Sequence, residues 1–180
     1  ARLIAKKATE TSVITIGVGN GNNGGGGLVA ARRLAAWGYN VNLDLVVPIT
    51  KDLPKAQLER ALLFGAKEGI PKTTDIWVDA YLGFSQRLPL SDTFVKSIEL
   101  ANASSAYRIS LDIPVGISKD GELLGFKANQ VMTLAAPKTI LEKLPNEVEV
   151  FMADLGIPKS VYEHFNIKMP NFKEHQLIAL

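Results

Sequence analysis

The stretch that decides the fold is residues 12–37, which read SVITIGV, then GNGNNGGGG, then LVAARRLAAW. Residues 12–18 form an almost unbroken apolar run, which is typical of a strand buried on both faces. Residues 28–37 have the composition of a helix, and Gly38 is suited to end it. A buried strand, a glycine-rich turn and a helix predict the first unit of an α/β domain, with a ligand site at the turn.

The same alternation of apolar strands and helical segments continues along the chain. Further strands are predicted at residues 41–47, 75–80, 107–114, 130–135 and 148–152. Helices are predicted at residues 54–69, at residues 92–101 and near Pro158, and residues 118–125 are predicted to form a loop. This order indicates a three-layer Rossmann-like α/β fold, in which a mainly parallel sheet carries helices on both faces.

Length and composition narrow the class of protein. The 180 residues suit a single domain over residues 1–180. The absence of cysteine excludes disulfides, thiolate metal sites and a cysteine nucleophile. A net charge of +2 gives no basic surface for nucleic acid or an anionic membrane. No apolar run approaches the roughly 18 residues of a membrane helix, and we expect a cytoplasmic protein.

Residues 1–7, ARLIAKK, resemble the basic last turn of a helix. Together with the missing initiator methionine, this predicts that an N-terminal helical segment has been cut away.

Glycine occupies seven of the eleven positions from 17 to 27. Glycine permits a positive φ and a close approach between backbone and ligand. Amide groups at the start of a helix attract anions, and the helix dipole adds to this attraction. The turn is therefore predicted to hold a phosphate or pyrophosphate, the alternative being a flexible turn that tolerates glycine.

Two common nucleotide-binding motifs fit this turn poorly. Gly19, Gly21 and Gly24 have the spacing Gly-x-Gly-x-x-Gly, which requires an acidic residue about 20 positions later, at the end of the second strand. Asp44 has the right separation but lies inside that predicted strand, which ends in Pro48-Ile49-Thr50. A P-loop is excluded because no Gly-Lys-Ser/Thr follows the glycines.

Three predicted strand ends should meet in one crevice: residues 17–27, 79–89 and 112–116. A carboxylate that ends a buried strand is unfavourable without a partner, and this favours a functional role for Asp112. Asp79 has two interpretations, a ligand-binding carboxylate or a polar residue that caps the end of the sheet.

Several ordered segments resemble one family. Residues 19–32, GNGNNGGGGLVAAR, resemble the motif GxGNNGGDGLVAAR of NAD(P)H-hydrate epimerases. Residues 78–85, VDAYLGFS, and residues 111–116, LDIPVG, resemble the family's VDAxxG and DIPSG segments. Residues 133–138 and 150–158 also resemble family segments, so that the likeness extends over about residues 1–165. The related domain types are the YjeF N-terminal domain and the apolipoprotein A-I-binding proteins.

The resemblance implies an isomerase of metabolite repair. Such an enzyme interconverts the R and S forms of hydrated NADH or NADPH, in which water has added to C6 of the reduced nicotinamide ring. It also implies a potassium ion as cofactor, a small-molecule substrate and a homodimer. Potassium prefers oxygen ligands, which asparagine amides and carboxylates supply.

When the functional residues of the family are transferred to the matching positions of this sequence, they predict a catalytic residue, metal ligands and substrate contacts. Asp112 is the predicted catalytic residue and also a substrate contact. The potassium ligands would be Asn23, Asp79 and, by its backbone carbonyl alone, Val115. The other predicted substrate-binding residues are Asn22, Asn23, Gly24, Gly25, Gly26, Gly83, Phe84, Ser85, Gln86, Arg87, Leu88 and Pro89.

Some residues have a simpler interpretation. Arg87 could balance phosphate charge, although an exposed arginine without a role is the plainer alternative. His164 and His175 are predicted to lie on the surface, and Trp37 and Trp77 in the core.

Two departures from the family pattern leave alternatives open. The family's loop aspartate is Gly26 here, and the serine of DIPSG is Val115. These changes favour, as an alternative, a catalytically impaired nucleotide-binding or scaffold domain of the same fold. A conventional nucleotide-dependent oxidoreductase is a third possibility, and the missing ribose-binding acid argues against it.

Overall fold

The computed structural model describes residues 1–173 and 176–180. Within these residues the strands, in chain order, are β1 Val13–Val18, β2 Asn40–Leu45, β3 Lys67–Glu68, β4 Ile76–Ala80, β5 Tyr107–Leu111, β6 Gln130–Leu134, β7 Glu149–Ala153 and β8 Leu177–Ala179. The helices are α1 Arg2–Ala5, α2 Asn22–Ala36, α3 Asp52–Leu63, α4 Asp92–Ala103 and α5 Lys159–His164, with a 3₁₀ helix at Thr139–Lys143. None of these helices combines the length and the apolar character that crossing a membrane requires.

The strands form one sheet in the order β3-β2-β1-β4-β5-β6-β7-β8. All neighbours are parallel except β7 and β8. From β1 the chain first adds strands on one side and then, from β4, on the other. Such a reversal opens a crevice at the carboxyl ends of β1 and β4.

Helices cover both faces of this sheet. Buried residues of α1, α2 and α3, among them Leu3, Leu28 and Ala61, pack against one face. Ile98 and Ala101 of α4 belong to the cluster on the other face. The predicted three-layer α/β fold with a mainly parallel sheet is therefore confirmed.

Helix α2 begins at Asn22, six residues before the predicted start at position 28. The glycines at positions 24–27 are therefore helical, and none has the positive φ that their abundance suggested. Their role is close packing. A Cβ added to Gly27 would lie 2.5 Å from the Cβ of Ala80, and one added to Gly24 would collide with the carbonyl oxygen of Gly19. Glycine thus lets α2 lie directly against β1 and β4.

Two other predicted elements extended too far toward the C-terminus. Helix α3 ends at Leu63 because Gly65 adopts φ +101°, and the chain then forms the short strand β3. Strand β5 ends at Leu111 because Asp112 adopts φ 73°.

Predictions for single residues had mixed outcomes. The core position predicted for Trp77 is confirmed, since it is 2% exposed, but that for Trp37 is wrong, since it is 45% exposed. Trp37 follows the last turn of α2, where its ring contacts the guanidinium of Arg33. His164 is exposed as predicted, and His175 lies outside the described residues.

Tyr81 connects β2 and β4 beneath the crevice. Its ring is buried over Gly17, and its hydroxyl donates a 2.6 Å hydrogen bond to Oδ2 of Asp44 and accepts one of 3.1 Å from the indole of Trp77. Burial and the charge of Asp44 raise the pKa of Tyr81 well above its ordinary value. The Asp44 carboxylate is therefore bound inside the protein, not offered to a ribose.

Replacing Tyr81 by phenylalanine should destabilise the fold, because it leaves the buried Asp44 carboxylate without this donor. We expect the free energy of unfolding to fall by about 1–3 kcal/mol in urea denaturation. Tyr39→Phe is the matched control, since Tyr39 is only half-buried. Equal stability of the Tyr81→Phe variant and the wild type would contradict this role.

Candidate functional site

A cavity of about 490 Å³ lies at the carboxyl edge of the sheet. The three segments predicted to meet there do meet. Its lining residues are Gly21, Asn22, Asn23, Gly26, Lys51, Tyr81, Leu82, Gly83, Phe84, Ser85, Gln86, Leu111, Asp112 and Leu134.

One wall of the cavity is the first turn of α2. The amide of Gly25 bonds to the carbonyl of Gly21 at 3.0 Å, so the helical bonding begins only there. The amides of Asn22, Asn23 and Gly24 precede it, and no side chain of the described residues caps this helix. Such uncapped amides, at the positive end of a helix dipole, suit a phosphate or pyrophosphate.

Asn23 joins this turn to the ends of β4 and β5. Its Nδ2 donates hydrogen bonds to the carbonyl oxygens of Leu82, at 3.0 Å, and Leu111, at 3.2 Å. Its Oδ1 is buried and has no hydrogen-bond partner among the described residues. A buried oxygen without a donor is unfavourable, and a bound cation would satisfy it.

Asp112 lines the cavity close to Asn23, with its backbone in the left-handed region at φ 73°. A residue other than glycine rarely adopts this conformation, and where it does, a functional role is a common reason. The Asp112 Oδ2 accepts a hydrogen bond of 2.9 Å from the amide of Phe84. Its Oδ1 lies 2.7 Å from Nζ of Lys138.

Lys138 is itself held in place. Its ammonium group donates to the hydroxyl of Thr133 at 2.9 Å and to the carbonyl of Leu134 at 2.8 Å. The Asp112 carboxylate is therefore fixed on both oxygens by groups from two other segments, while it still lines the cavity.

Asp79 is fully buried below the cavity and does not line it. Its Oδ1 accepts a hydrogen bond from the amide of Tyr81, and its Oδ2 accepts from the hydroxyl of Ser110 and the amide of Val115, at 2.8–3.1 Å. Burial raises the pKa of Asp79 to about 7, and these three hydrogen bonds oppose the rise. In this structure Asp79 ties β4 to β5 and to the turn after β5.

Hydrogen bonds from backbone groups and from a side-chain amide connect the turns around the cavity. The carbonyl of Val115 accepts a hydrogen bond from the amide of Phe126 at 2.9 Å. The side chain of Gln86 donates to the carbonyl of Pro114 at 3.1 Å and accepts from the amide of Gly116 at 2.6 Å. Gln86 thus fixes the loop after β4 against the turn that carries Asp112.

The structure brings most of the predicted site together in one cavity. The predicted residues that line it are Asn22, Asn23, Gly26, Gly83, Phe84, Ser85, Gln86 and Asp112. Gly24 and Gly25 are buried behind this wall, and Leu88 and Pro89 line a separate groove. Arg87 is exposed and lines neither. The substrate-binding, metal-binding and catalytic roles of all these predicted residues, including Asp79 and Val115, stay predictions.

Two residues of the site were missed from the sequence, Lys138 and Lys51. Lys138 lies in the segment after β6, and the resemblance of residues 133–138 to a family segment was the available signal. Lys51 lies six residues after the end of β2 and directly before α3, and it lines the cavity.

A family model described as YjeF-related protein N-terminus matches residues 1–140. The chain belongs to this family. Among curated relatives of this YjeF-related domain, an NAD(P)H-hydrate epimerase of Rhodopirellula baltica is 36% identical, over 93% of this chain and 75% of the relative. A bifunctional NAD(P)H-hydrate repair enzyme Nnr of Archaeoglobus fulgidus is also 36% identical, over 82% of this chain.

The YjeF-related domain spans different shares of these proteins. It covers 33% of the Archaeoglobus enzyme, and 58% of an NAD(P)H-hydrate epimerase of Plasmodium knowlesi that is 33% identical over 88% of this chain. The crystal structure of yeast ynu0 superposes with a TM-score of 0.82 at 23% identity, over 97% of this chain and 79% of the yeast chain. This likeness supports the fold.

Proposed function

We propose that this domain is an NAD(P)H-hydrate epimerase, an isomerase that interconverts the R and S forms of hydrated NADH and NADPH. The observation that carries the proposal is the pairing of two features in one cavity: an uncapped helix start and a fixed carboxylate, Asp112. The first suits the pyrophosphate of a dinucleotide. The second supplies a group capable of acid–base chemistry in the same cavity. The names of the relatives agree with this activity.

The chemistry requires a proton carrier at one carbon. The R and S hydrates differ only at C6, which bears the added hydroxyl group next to the ring nitrogen. Inverting that carbon breaks its bond to oxygen or to nitrogen and remakes it on the other side. A proton leaves the hydroxyl group or is added to the departing atom, and it returns when the bond is remade. Asp112, held by the amide of Phe84 and by Lys138, performs this exchange.

Potassium fits the residues beneath the cavity. The unpartnered Oδ1 of Asn23 would be one oxygen ligand, and Asp79 Oδ1, which accepts a single hydrogen bond from the amide of Tyr81, would be a second. The Val115 carbonyl already accepts a hydrogen bond from Phe126 and would need its second lone pair. When bound, the ion would supply positive charge that orders the start of α2 and the end of β4.

Potassium should therefore raise the melting temperature in a way that depends on Asn23. A ligand that binds only the folded state stabilises it as its concentration rises. Differential scanning fluorimetry in potassium chloride and in choline chloride at equal ionic strength would measure the effect. We expect a rise with potassium for the wild type and none for Asn23→Ala. Equal melting temperatures of the wild type in both salts would refute the potassium assignment.

The two departures from the family motifs do not obstruct the cavity. A Cβ on Gly26 would meet only the end of the Leu111 side chain, at 3.2 Å. Val115 is fully buried and does not line the cavity. Restoring the aspartate with Gly26→Asp tests the impaired alternative. A large gain of activity from a low base would support it, and an unchanged high activity would rule it out.

The direct test mixes the protein with pure R-hydrate of NADPH and follows the S-hydrate by chromatography. The proposal requires that the protein accelerate the conversion over the spontaneous rate and that Asp112→Asn strongly reduce this acceleration. Binding of ADP-ribose without acceleration would instead identify a nucleotide-binding domain that lacks the activity.

Lys138 should matter for turnover more than for binding. Lys138→Met removes the ammonium group that fixes Oδ1 of Asp112. A carboxylate displaced by about 1 Å can lower a rate by about 100-fold, so we expect kcat to fall about 10- to 100-fold with little change in KM. Lys138→Arg keeps the charge and should retain more activity. Equal kcat values of Lys138→Met and the wild type would contradict this positioning role.

A homodimer and a cytoplasmic location complete the proposal. Light scattering after size exclusion should give twice the chain mass of 19.5 kDa. A particle of 19.5 kDa at working concentration would remove the dimer from the proposal.

A further inference from the structure

Lys51 is a cation in the cavity to which the proposed function gives no role. It follows β2 and stands directly before α3. Among the described residues that line the cavity, it is the one with a positive charge. The Asp112 carboxylate is already neutralised by Lys138. The charge of Lys51 is therefore not balanced by the site itself.

The backbone that carries Lys51 is held against the glycine turn. The Oδ1 of Asn20 accepts hydrogen bonds from the amides of Thr50, at 2.9 Å, and Lys51, at 3.1 Å. The Nδ2 of Asn20 donates to the Thr50 hydroxyl at 2.8 Å. These contacts fix the start of the Lys51 side chain beside the turn that would hold a pyrophosphate.

In the sheet topology, Lys51 and Asp112 follow strands on opposite sides of β1 and β4. They follow β2 and β5, and the sheet order between them is β2-β1-β4-β5. Three strand spacings, or about 14 Å, separate β2 from β5. The start of α2 lies between, after β1. A dinucleotide with its pyrophosphate on α2 and its nicotinamide ring at Asp112 would thus extend its second ribose toward Lys51.

The segment between β2 and α3 bears on which ribose is accepted. In dinucleotide-binding folds, an acid here binds the free 2′-hydroxyl of the ribose, and a basic residue accommodates a 2′-phosphate. Here the Asp44 carboxylate is bound by Tyr81, and Asp52 is not among the residues that line the cavity. The basic residue Lys51 is the one that lines it.

We propose that Lys51 binds the 2′-phosphate of the adenosine ribose, so that the cavity prefers the phosphorylated dinucleotide, hydrated NADPH, to hydrated NADH. This inference rests on the proposed function, because it takes the nicotinamide end to lie at Asp112. It adds a specificity-determining residue and the substrate form that this residue selects.

Calorimetry with two probes tests the preference without turnover. The probes are ADP-ribose and ADP-ribose 2′-phosphate, which differ only in the group that Lys51 would bind. The wild type should bind the phosphorylated probe about tenfold more tightly, the effect of about one charge-assisted hydrogen bond at an exposed site. Lys51→Met should bind both probes with equal affinity. Lys55→Met, an exposed lysine one turn later in α3, should keep the wild-type ratio.

Three outcomes would overturn the inference: equal affinities in the wild type, a preference that survives Lys51→Met, or one that Lys55→Met abolishes. None of them touches the activity itself, which is decided by the conversion of R-hydrate to S-hydrate. A protein that converts hydrates but shows no dependence on Lys51 would keep the proposed function and lose this specificity.

Discussion

Asp112→Asn lowers the rate of R-to-S conversion by about 10²- to 10⁴-fold, the usual contribution of a general acid or base. Asparagine has the same shape and also tolerates the left-handed conformation seen at this position. It can still accept the hydrogen bond from the amide of Phe84. The loss would therefore come from the missing proton-accepting carboxylate rather than from a displaced loop.

The stability of this variant must be measured beside its activity. Lys138 keeps its bonds to Thr133 and Leu134 when the ion pair is lost. We expect the free energy of unfolding to fall by no more than about 2 kcal/mol, which leaves a typical domain folded. Asp120→Asn, an exposed loop position, is the control and should be fully active. More than a tenth of wild-type activity in Asp112→Asn would remove this residue from the mechanism.

Replacing two different glycines of α2 by alanine should change the stability of the domain in opposite directions. A Cβ on Gly27 would lie 2.5 Å from that of Ala80, so Gly27→Ala forces α2 away from β4. Overpacking of this kind costs about 1–3 kcal/mol, and the gain in helix propensity offsets about 1 kcal/mol. A Cβ on Gly25 would meet nothing nearer than Pro54, at 3.8 Å. Gly25→Ala should therefore stabilise the domain by about 0.5–1 kcal/mol.

Urea denaturation of both variants and the wild type would measure this contrast. Both variants replace glycine by alanine in the same helix, so the change in helix propensity is the same in both. The difference between their stabilities therefore reports the difference in packing. We expect Gly27→Ala below the wild type and Gly25→Ala above it. Equal stabilities of the two variants would show that α2 does not lie as close to β4 as the structure has it.

The sequence predicted the layers, the direction of most strands and the crevice, because these follow from the alternation of buried strands and helices. It did not predict where α2 begins. Four consecutive glycines have poor helix propensity, and the close approach of Ala80 and Gly19 explains why glycine is nevertheless present at positions 27 and 24 of the helix. The short strand β3 was missed for a related reason, since its two residues are exposed and carry no apolar pattern.

The candidate site, too, could be predicted from the sequence only in part. Asp112 could be singled out because it follows an apolar strand, but its partner Lys138 is 26 positions away and is brought to it only by the adjacent strand β6. Asp44 has the spacing of a ribose-binding acid, and only the structure shows its bond to Tyr81. Contacts between distant segments, which the one-dimensional pattern does not contain, decide these roles.

The most direct test of the account is a crystal structure with ADP-ribose 2′-phosphate and nicotinamide, the two parts of the proposed substrate, bound together. The account predicts the pyrophosphate on the amides of Asn22, Asn23 and Gly24, and the nicotinamide ring within hydrogen-bond reach of the Asp112 carboxylate. Ligand density in another part of the molecule, with this cavity filled by solvent alone, would contradict it.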